Sequence, residues 1–543
     1  MLSMLSLSAQ NVGINNDGSK PDPHAMLDIK SADKGLLIPR MTSEERFRIV
    51  NTKGLIVYDI TTDHFWYNTG REWKCIPNIG EKEKQDSAWL IGGNSNINDS
   101  TSFLGTTNLE PINFRINNIT AGRIEYGSAC TFLGYQAGAG NIHFGITGFG
   151  YQSLAANAGY GNVAMGYQSM QLNTTGFYNS AFGYQALGNN TDGYFNTAVG
   201  YQCMAQANGQ VNTAVGYQAL FNNQSSECVA VGNGALYGNT GGPSNTALGF
   251  GTMASNTTGG FNTATGNGAM SGNTNGSYNT AAGFYALNAN STGVNNSVFG
   301  NQAMQFNSSG SSNAAEGYYA LYNNSIGNFN VGEGAWALFH NTTGGNNSAL
   351  GWGADVSSGD LSNATAIGAS AIVDASNKVR IGNSAVTVIE GQVPFTTPSD
   401  GRYKYNVQED VKGLDFILQL RPITYQFDVR RFDQGRQVTI SAAAYDEASS
   451  IRRTGFIAQE VERAAIACGY NFSGIIKPKT DAAHYSLSYD AFVVPLVKAV
   501  QEQQALIRKQ AQQLESQDAR LARLEQELEE LKKHDRESSS LQK

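Results

Sequence analysis

Charged side chains are scarce in this 543-residue chain: Asp, Glu, Lys and Arg make up 15%, against about 25% in ordinary soluble domains. What charge remains is acidic on balance, with a formal net charge of −8, and no basic patch with interleaved aromatics occurs. Nucleic acid is thereby excluded as the main partner. Cysteine is rare as well. Cys75, Cys130, Cys203, Cys228 and Cys468 are dispersed, odd in number and without a C-x-x-C, so neither a disulfide framework nor a zinc site is expected. No apolar run reaches the roughly 18 residues of a membrane-spanning helix. Proline is sparse, at 11 residues. No cofactor or metal is expected.

Glycine, by contrast, is abundant at 62 residues, with 25 Tyr and 25 Phe. The glycines show no three-residue period, which excludes collagen, and a hydrophobic content of 41% excludes wholesale disorder. Repetitive β structure in several domains is the expectation. The first nine residues, MLSMLSLSA, resemble the tail of a secretory signal and point to export. Residues 10–80 carry short apolar runs (GLLIP, GLIVYDI, HFWYN, EWKCI) between turn residues and predict a small β module. This stretch resembles an N-terminal module of secreted fibre-like proteins of the Bacteroidetes group. Residues 81–129 are polar and mixed, and read as a transition.

Residues 130–393 repeat. Aligned on N-x-A-x-G-Y-Q-A-[LM], the repeat glycine falls at Gly134, Gly150, Gly166, Gly183, Gly200, Gly216, Gly232, Gly249, Gly266, Gly283, Gly300, Gly317, Gly332, Gly351 and Gly368. The period is about 17 residues, and twelve of the fourteen intervals agree to within one. That is too short for a helix pair or a propeller blade, and fits one coil of a parallel β-solenoid with two short strands and two turns. In NTAVGYQAL, period-2 alternation sets Ala214 and Gly216 on one face and Val215 and Tyr217 on the other. About fifteen coils at about 4.8 Å each would build a rod of about 70 Å. The repeats resemble the heads of trimeric autotransporter adhesins, which are trimeric parallel β-rolls; SNATAIGASAIVDASNKVRIGNSAVTVIEGQV (362–393) carries that likeness most plainly.

The rod offers little to catalysis. Between 131 and 300 there is no Lys or Arg, and only Asp192 and Glu227 are carboxylates. Two coils put them about 10 Å apart, within the range of a glycosidase pair, but no other feature supports one. The tyrosines at 135, 151, 167, 184, 201 and 217 read first as a structural stack. If exposed, they suit carbohydrate or surface contact.

At TPSDGRYKYNV (397–407) the composition turns to that of a charged globular domain. After the linker 394–398, residues 399–495 predict an α+β domain. Val500, Ile507, Leu514, Leu521 and Leu528 then occupy position a of five heptads, with Gln503, Gln510, Gln517, Leu524 and Leu531 at d. This spacing predicts a coiled coil over 496–535, followed by a tail at 536–543. In order, SDGRYKYNV, LRPITYQF, TGFIAQEVE and YSLSYDAFVVPLVKAVQEQ resemble the intramolecular chaperone domain of endosialidases and phage tail spikes. The resemblance covers 399 to about 535. It implies a domain that trimerises the chain, assists folding of the upstream β stalk and then cuts itself off. It also implies Ser399 as nucleophile and new N-terminus, Lys404 as general base and Pro398–Ser399 as the scissile bond. Tyr403 stands where that family usually has Leu.

Residue chemistry meets that implication partway. A Ser hydroxyl is inert at neutral pH unless a base takes its proton, and a Lys serves only if burial brings its pKa well below 10.4. An offset of five suits neither helix nor strand. Only a turn, for which Asp400-Gly401 supplies the chemistry, or a neighbouring subunit can bring Lys404 to Ser399. The expectation is a mainly β, homotrimeric fibre with an unidentified cell-surface or carbohydrate receptor, secreted or on a cell surface. Its alternative is a phage or phage-like tail fibre with a non-cleaving trimerisation domain.

Overall fold

The computed structural model describes residues 11–76, 103–140, 143–434, 438, 440–478 and 483–540. The leader-like residues 1–9 and the first part of the transition, 81–102, lie outside the described residues. The chain forms two compact units, 1–105 and 106–543. In the first, strands Ile56–Asp59, His64–Asn68 and Trp73–Ile76 pair antiparallel, and Arg40–Met41 joins Ile56–Asp59 in parallel. Thr42 and Glu45 cap the helix Ser43–Arg48 reciprocally, so both orphan amides at its start are satisfied. The buried Arg46 bonds Asp59 at 2.8 Å and lies 3.7 Å over the Trp66 ring.

The second unit opens with an antiparallel hairpin, Ile112–Ile116 and Ile119–Glu125. Its turn residues Asn117 and Asn118 both have positive φ, as a two-residue hairpin turn requires. This hairpin pairs with Cys130–Leu133, from which a parallel solenoid runs to Lys378–Ile381. Each coil adds a three-residue strand in strict register, as in Thr197↔Thr213, Ala198↔Ala214 and Val199↔Val215. The middle alanines are fully buried, whereas Val215 and Tyr217 are 38% and 48% exposed. Small side chains at the middle position let opposite walls of the coil approach. At Gly216 the backbone has φ +139°, and a Cβ there would lie 2.4 Å from the Gly232 carbonyl oxygen of the next coil. Only glycine fits.

Three details differ from the sequence reading. The repeat glycine of the thirteenth coil is Gly334, not Gly332: Gly334 has φ +126°, while Gly332 sits in the strand opposite Ala315 and Ala349. With Gly334 in place, no two intervals from Gly134 to Gly368 differ by more than one. Most coils hold one strand rather than two. The far side is a turn-rich path of left-handed residues such as Gln218 and Leu220, joined coil to coil by bonds such as Leu187 N–H to Cys203 O at 3.0 Å. A second strand pair forms only at the end, Asp355–Val356 with Ile372–Val373.

The interior is also more polar than expected. Two columns of buried asparagines run beside the alanines. In one, nearly every Nδ2 donates to the Oδ1 of the preceding coil, as from Asn173 to Asn157 at 2.6 Å and Asn256 to Asn239 at 2.7 Å. The same amides close their own turns, as Asn173 does onto Gly176 O at 2.8 Å. In the other column, Oδ1 accepts the backbone N–H of the next coil, as Asn162 does from Asn179 at 2.9 Å. Buried amides are tolerable because nearly every donor and acceptor is used.

Beyond the rod, Phe416, Val461, Ala464, Ala465, Phe472 and Phe492 form the core of a small C-terminal domain. Strand Ile423–Gln426 pairs antiparallel with Arg452–Gly455. Arg421 grips Glu460 at 2.6 Å, and the Tyr489 hydroxyl accepts the Phe456 N–H at 3.0 Å, so the separated motifs converge on one core. A single helix, Val493–Ser540, follows. Phe492, just before it, sits in the domain core, and the third turn of the helix packs on the domain through Glu502, which accepts the Leu414 N–H at 2.8 Å. Farther along, Leu514, Leu521 and Leu528 are exposed.

Candidate active site

The seam is built by one turn of 3₁₀ helix, Gly401–Tyr403. Asp400 starts it, its carboxylate accepting the Arg402 N–H at 2.9 Å and gripping the Arg402 guanidinium at 2.6 and 2.9 Å. These bonds from Arg402 hold the Asp400 carboxyl below the usual range. The turn ends at Lys404, whose N–H bonds to Gly401 O at 3.1 Å. Three residues per turn then fold residue 404 back over residue 399. Lys404 Nζ donates to Ser399 Oγ at 2.7 Å. The two candidate residues are thus together within one chain, and the turn joining them is the one Asp400-Gly401 suggested. The sequence reading gave Asp400 a turn role only and left Arg402 unassigned; an Asp two residues before an Arg at a helix start is a recognisable cap.

The pair is solvent-exposed in the single chain, as are Pro398 and the whole stretch 390–410. Tyr403 and Tyr405 are 80% and 91% exposed. The Pro398–Ser399 peptide is accessible, and in this arrangement the Lys404 amine donates to the Ser399 hydroxyl.

The rod's carboxylates lie in separate settings. Asp192 accepts from the Asn208 amide, and Glu227 from Ser244 Oγ at 3.0 Å. Among the described residues, no cluster of His, Cys, Asp or Glu could hold a metal ion, and no helix is long and apolar enough to cross a membrane. The predicted tyrosines do stack, with Tyr151, Tyr167, Tyr184, Tyr201 and Tyr217 spaced 5.0–5.2 Å. They are also exposed along one edge. A second stack, Tyr160–Phe177–Tyr194 at 5.1 and 4.8 Å, runs beside Tyr178–Phe195 at 5.6 Å.

Two family models match. Residues 399–470 match the chaperone of endosialidase, a match that begins at Ser399 itself. Residues 13–91 match a phage tail like trimerisation region, a role the sequence reading did not assign to the N-terminal module. No curated protein matches the chain.

Proposed function

We propose that this chain, a trimeric tail fibre with a C-terminal endosialidase-type chaperone domain, releases that domain by a single self-cleavage between Pro398 and Ser399. The 2.7 Å contact between Lys404 Nζ and Ser399 Oγ carries the reading. Assembly buries the exposed pair, and desolvation favours the neutral amine. Lys404 then takes the Oγ proton as Oγ attacks the Pro398 carbonyl carbon. The C–N bond breaks, and the Lys404 ammonium returns the proton to the departing Ser399 nitrogen. Water cleaves the resulting ester, leaving a Pro398 carboxylate and restoring the hydroxyl on an N-terminal Ser399. Intact mass spectrometry of the purified protein tests this. Fragments 1–398 and 399–543 are expected from the wild type and a full-length chain from Ser399→Ala; an uncut wild type after days at 37 °C would leave the domain as a trimeriser only.

The trimer rests on the long C-terminal helix as well as on the N-terminal region. Its exposed heptad leucines find cover in a three-stranded coiled coil, and the three Gln at d set register. The fibre works on a virion tail or outside the cell, and its finer placement as a secreted or surface-bound attachment fibre follows the leader-like residues 1–9. For the receptor, charge separates two faces of the rod. No Lys or Arg lies between 131 and 300, so a carboxylate buried between chains there would lack a counter-charge. Glu227 shares the left-handed column of Tyr178 and Phe195, which therefore faces water. The edge of Val199, Tyr201, Val215 and Tyr217 is uncharged from 131 to 300 and packs between chains over that length. Farther on, the same strand position carries the exposed Glu316 and Glu333. The outer aromatic stacks suit a neutral saccharide, since ring faces bind sugar C–H surfaces without charge. Tyr178→Ser with Phe195→Ser should reduce adsorption to host cells at unchanged trimer mass; adsorption equal to wild type would remove these stacks from recognition.

A further inference from the structure

Two buried carboxylates lie where the rod's last coil meets the C-terminal domain. Asp374, whose side chain is 2% exposed, follows strand Ile372–Val373. It pairs with Lys378 Nζ at 2.8 Å in its own coil and with His484 Nδ1 at 3.1 Å in the C-terminal domain. Asp433, 6% exposed, closes the short helix Val429–Phe432 of the C-terminal domain. It accepts from Tyr445 OH of its own domain at 3.2 Å and from Ser384 Oγ, just past the rod's last strand. The Phe432 ring meets His484 edge-on at 4.6 Å, so the imidazole is held by its own domain while it reaches the rod.

Both cross-contacts, 374 to 484 and 384 to 433, straddle the Pro398–Ser399 bond. Opening that bond leaves them intact. Each buried acid also keeps a partner on its own side of the cut: Asp374 keeps Lys378, and Asp433 keeps Tyr445. Separation of the two parts therefore strands no bare buried charge, the cost that makes ordinary buried ion pairs so hard to break.

We propose that Asp374–His484 and Ser384–Asp433 form a releasable clasp by which the C-terminal domain holds the terminal coil of the rod. The clasp gives the domain a grip on the coil nearest the seam. Coils stack only in parallel register on a formed neighbour, so a held terminal coil is a template from which stacking proceeds toward the N-terminus. After the chain is cut, the same contacts keep the domain seated until they are outcompeted.

The clasp does not depend on the chemistry that opens the bond, and the experiment keeps the two apart. A site for an exogenous protease is placed in the linker 394–398 of full-length Ser399→Ala protein, the trimer is cut, and the fragments are followed by size-exclusion chromatography with light scattering. In 50 mM NaCl the rod and the C-terminal fragment should co-elute, and they should separate as NaCl is raised. His484→Phe retains the ring contact but loses the polar contact with Asp374, and should speed separation about tenfold or more. Asp433→Asn should act in the same direction, and the double variant further. Cut fragments that part at once in 50 mM NaCl, or variants that part at the wild-type rate, would overturn the clasp. Circular dichroism of each uncut variant identifies one that has merely misfolded. Should His484→Phe misfold, His484→Leu, which likewise offers no donor to Asp374, supplies the same comparison.

Discussion

Lys404 reaches Ser399 across five residues because a 3₁₀ turn, started by Asp400, closes in three. The contact is geometric, and its chemistry depends on which partner holds the proton. Lys404→Arg tests that distinction: a guanidinium keeps the positive charge and the hydrogen bond but cannot accept a proton. Its self-cleavage should fall by at least about 10²-fold, read as the uncut fraction over time by mass spectrometry, whereas cutting at the wild-type rate would exclude Lys404 as base. At the other end of the chain, a buried residue pair sets a pH response. Burial pushes the Asp59 carboxyl up, but bonds from the Ser43 and Arg46 side chains and the Thr61 and Thr62 amides outweigh it and hold it at about 2. The folded value lies below the unfolded one near 4, so the stabilisation is complete above about pH 4 and is lost as pH falls toward 2. The near-ultraviolet signal of Trp66 and Trp73 should melt at a constant temperature from pH 7 to 5 and progressively lower below 4. Arg46→Met, which strands the Asp59 charge, should destabilise this unit by about 3–5 kcal/mol at neutral pH.

Among elements, the asparagine column is the solenoid's polar spine, and its one gap is informative. Ala207 stands where neighbouring coils have Asn190 and Asn223, and the Asn190 Oδ1 has no partner. Ala207→Asn should supply the missing donor and raise rod stability by about 1 kcal/mol; the coil at Asn157 is of the same length and holds its amide bonded to Gly159 O at 2.7 Å. A lower melting temperature would mean that this coil is too tight for the larger side chain. The terminal helix presents the opposite case, an element whose apolar stripe beyond its first turns is exposed among the described residues. Leu521→Asp with Leu528→Asp puts charge at two successive a positions. The C-terminal part should then elute as a monomer, and the proposed self-cleavage should stop, because Lys404 would stay as exposed as it is in the single chain.

For the whole molecule, the difficulty is order of assembly. Parallel coils pair strands one full repeat apart and cannot form singly, and three such chains must start in register. A coiled coil of the terminal helices, following the domain that contacts the last coil, would raise the local concentration of the three chains where stacking begins. Expression of residues 1–398 alone should therefore give mostly insoluble rod, whereas rod freed from the mature protein should stay soluble. Soluble, elongated trimers from the truncated gene would show that the rod needs no chaperone.

The constant repeat length, the single-file small residues and the heptads are local or strictly periodic properties, and they determined the solenoid and the long helix from the sequence alone. The Ser399–Lys404 pair was implied by the family resemblance, with a turn or a neighbouring subunit left open to join the two. The 3₁₀ turn of the folded chain brings them together within one chain. The repeat glycine at 334 was missed because Gly332 and Gly334 are both glycines two positions apart, and only strand register tells the strand position from the left-handed one. The asparagine columns went unread in the sequence because a buried amide is recognised only once its cross-coil partner is placed. The meeting of Asp374 with His484, far apart along the chain, was decided by the tertiary structure alone: no spacing encodes which surface a folded domain lays against the end of a rod.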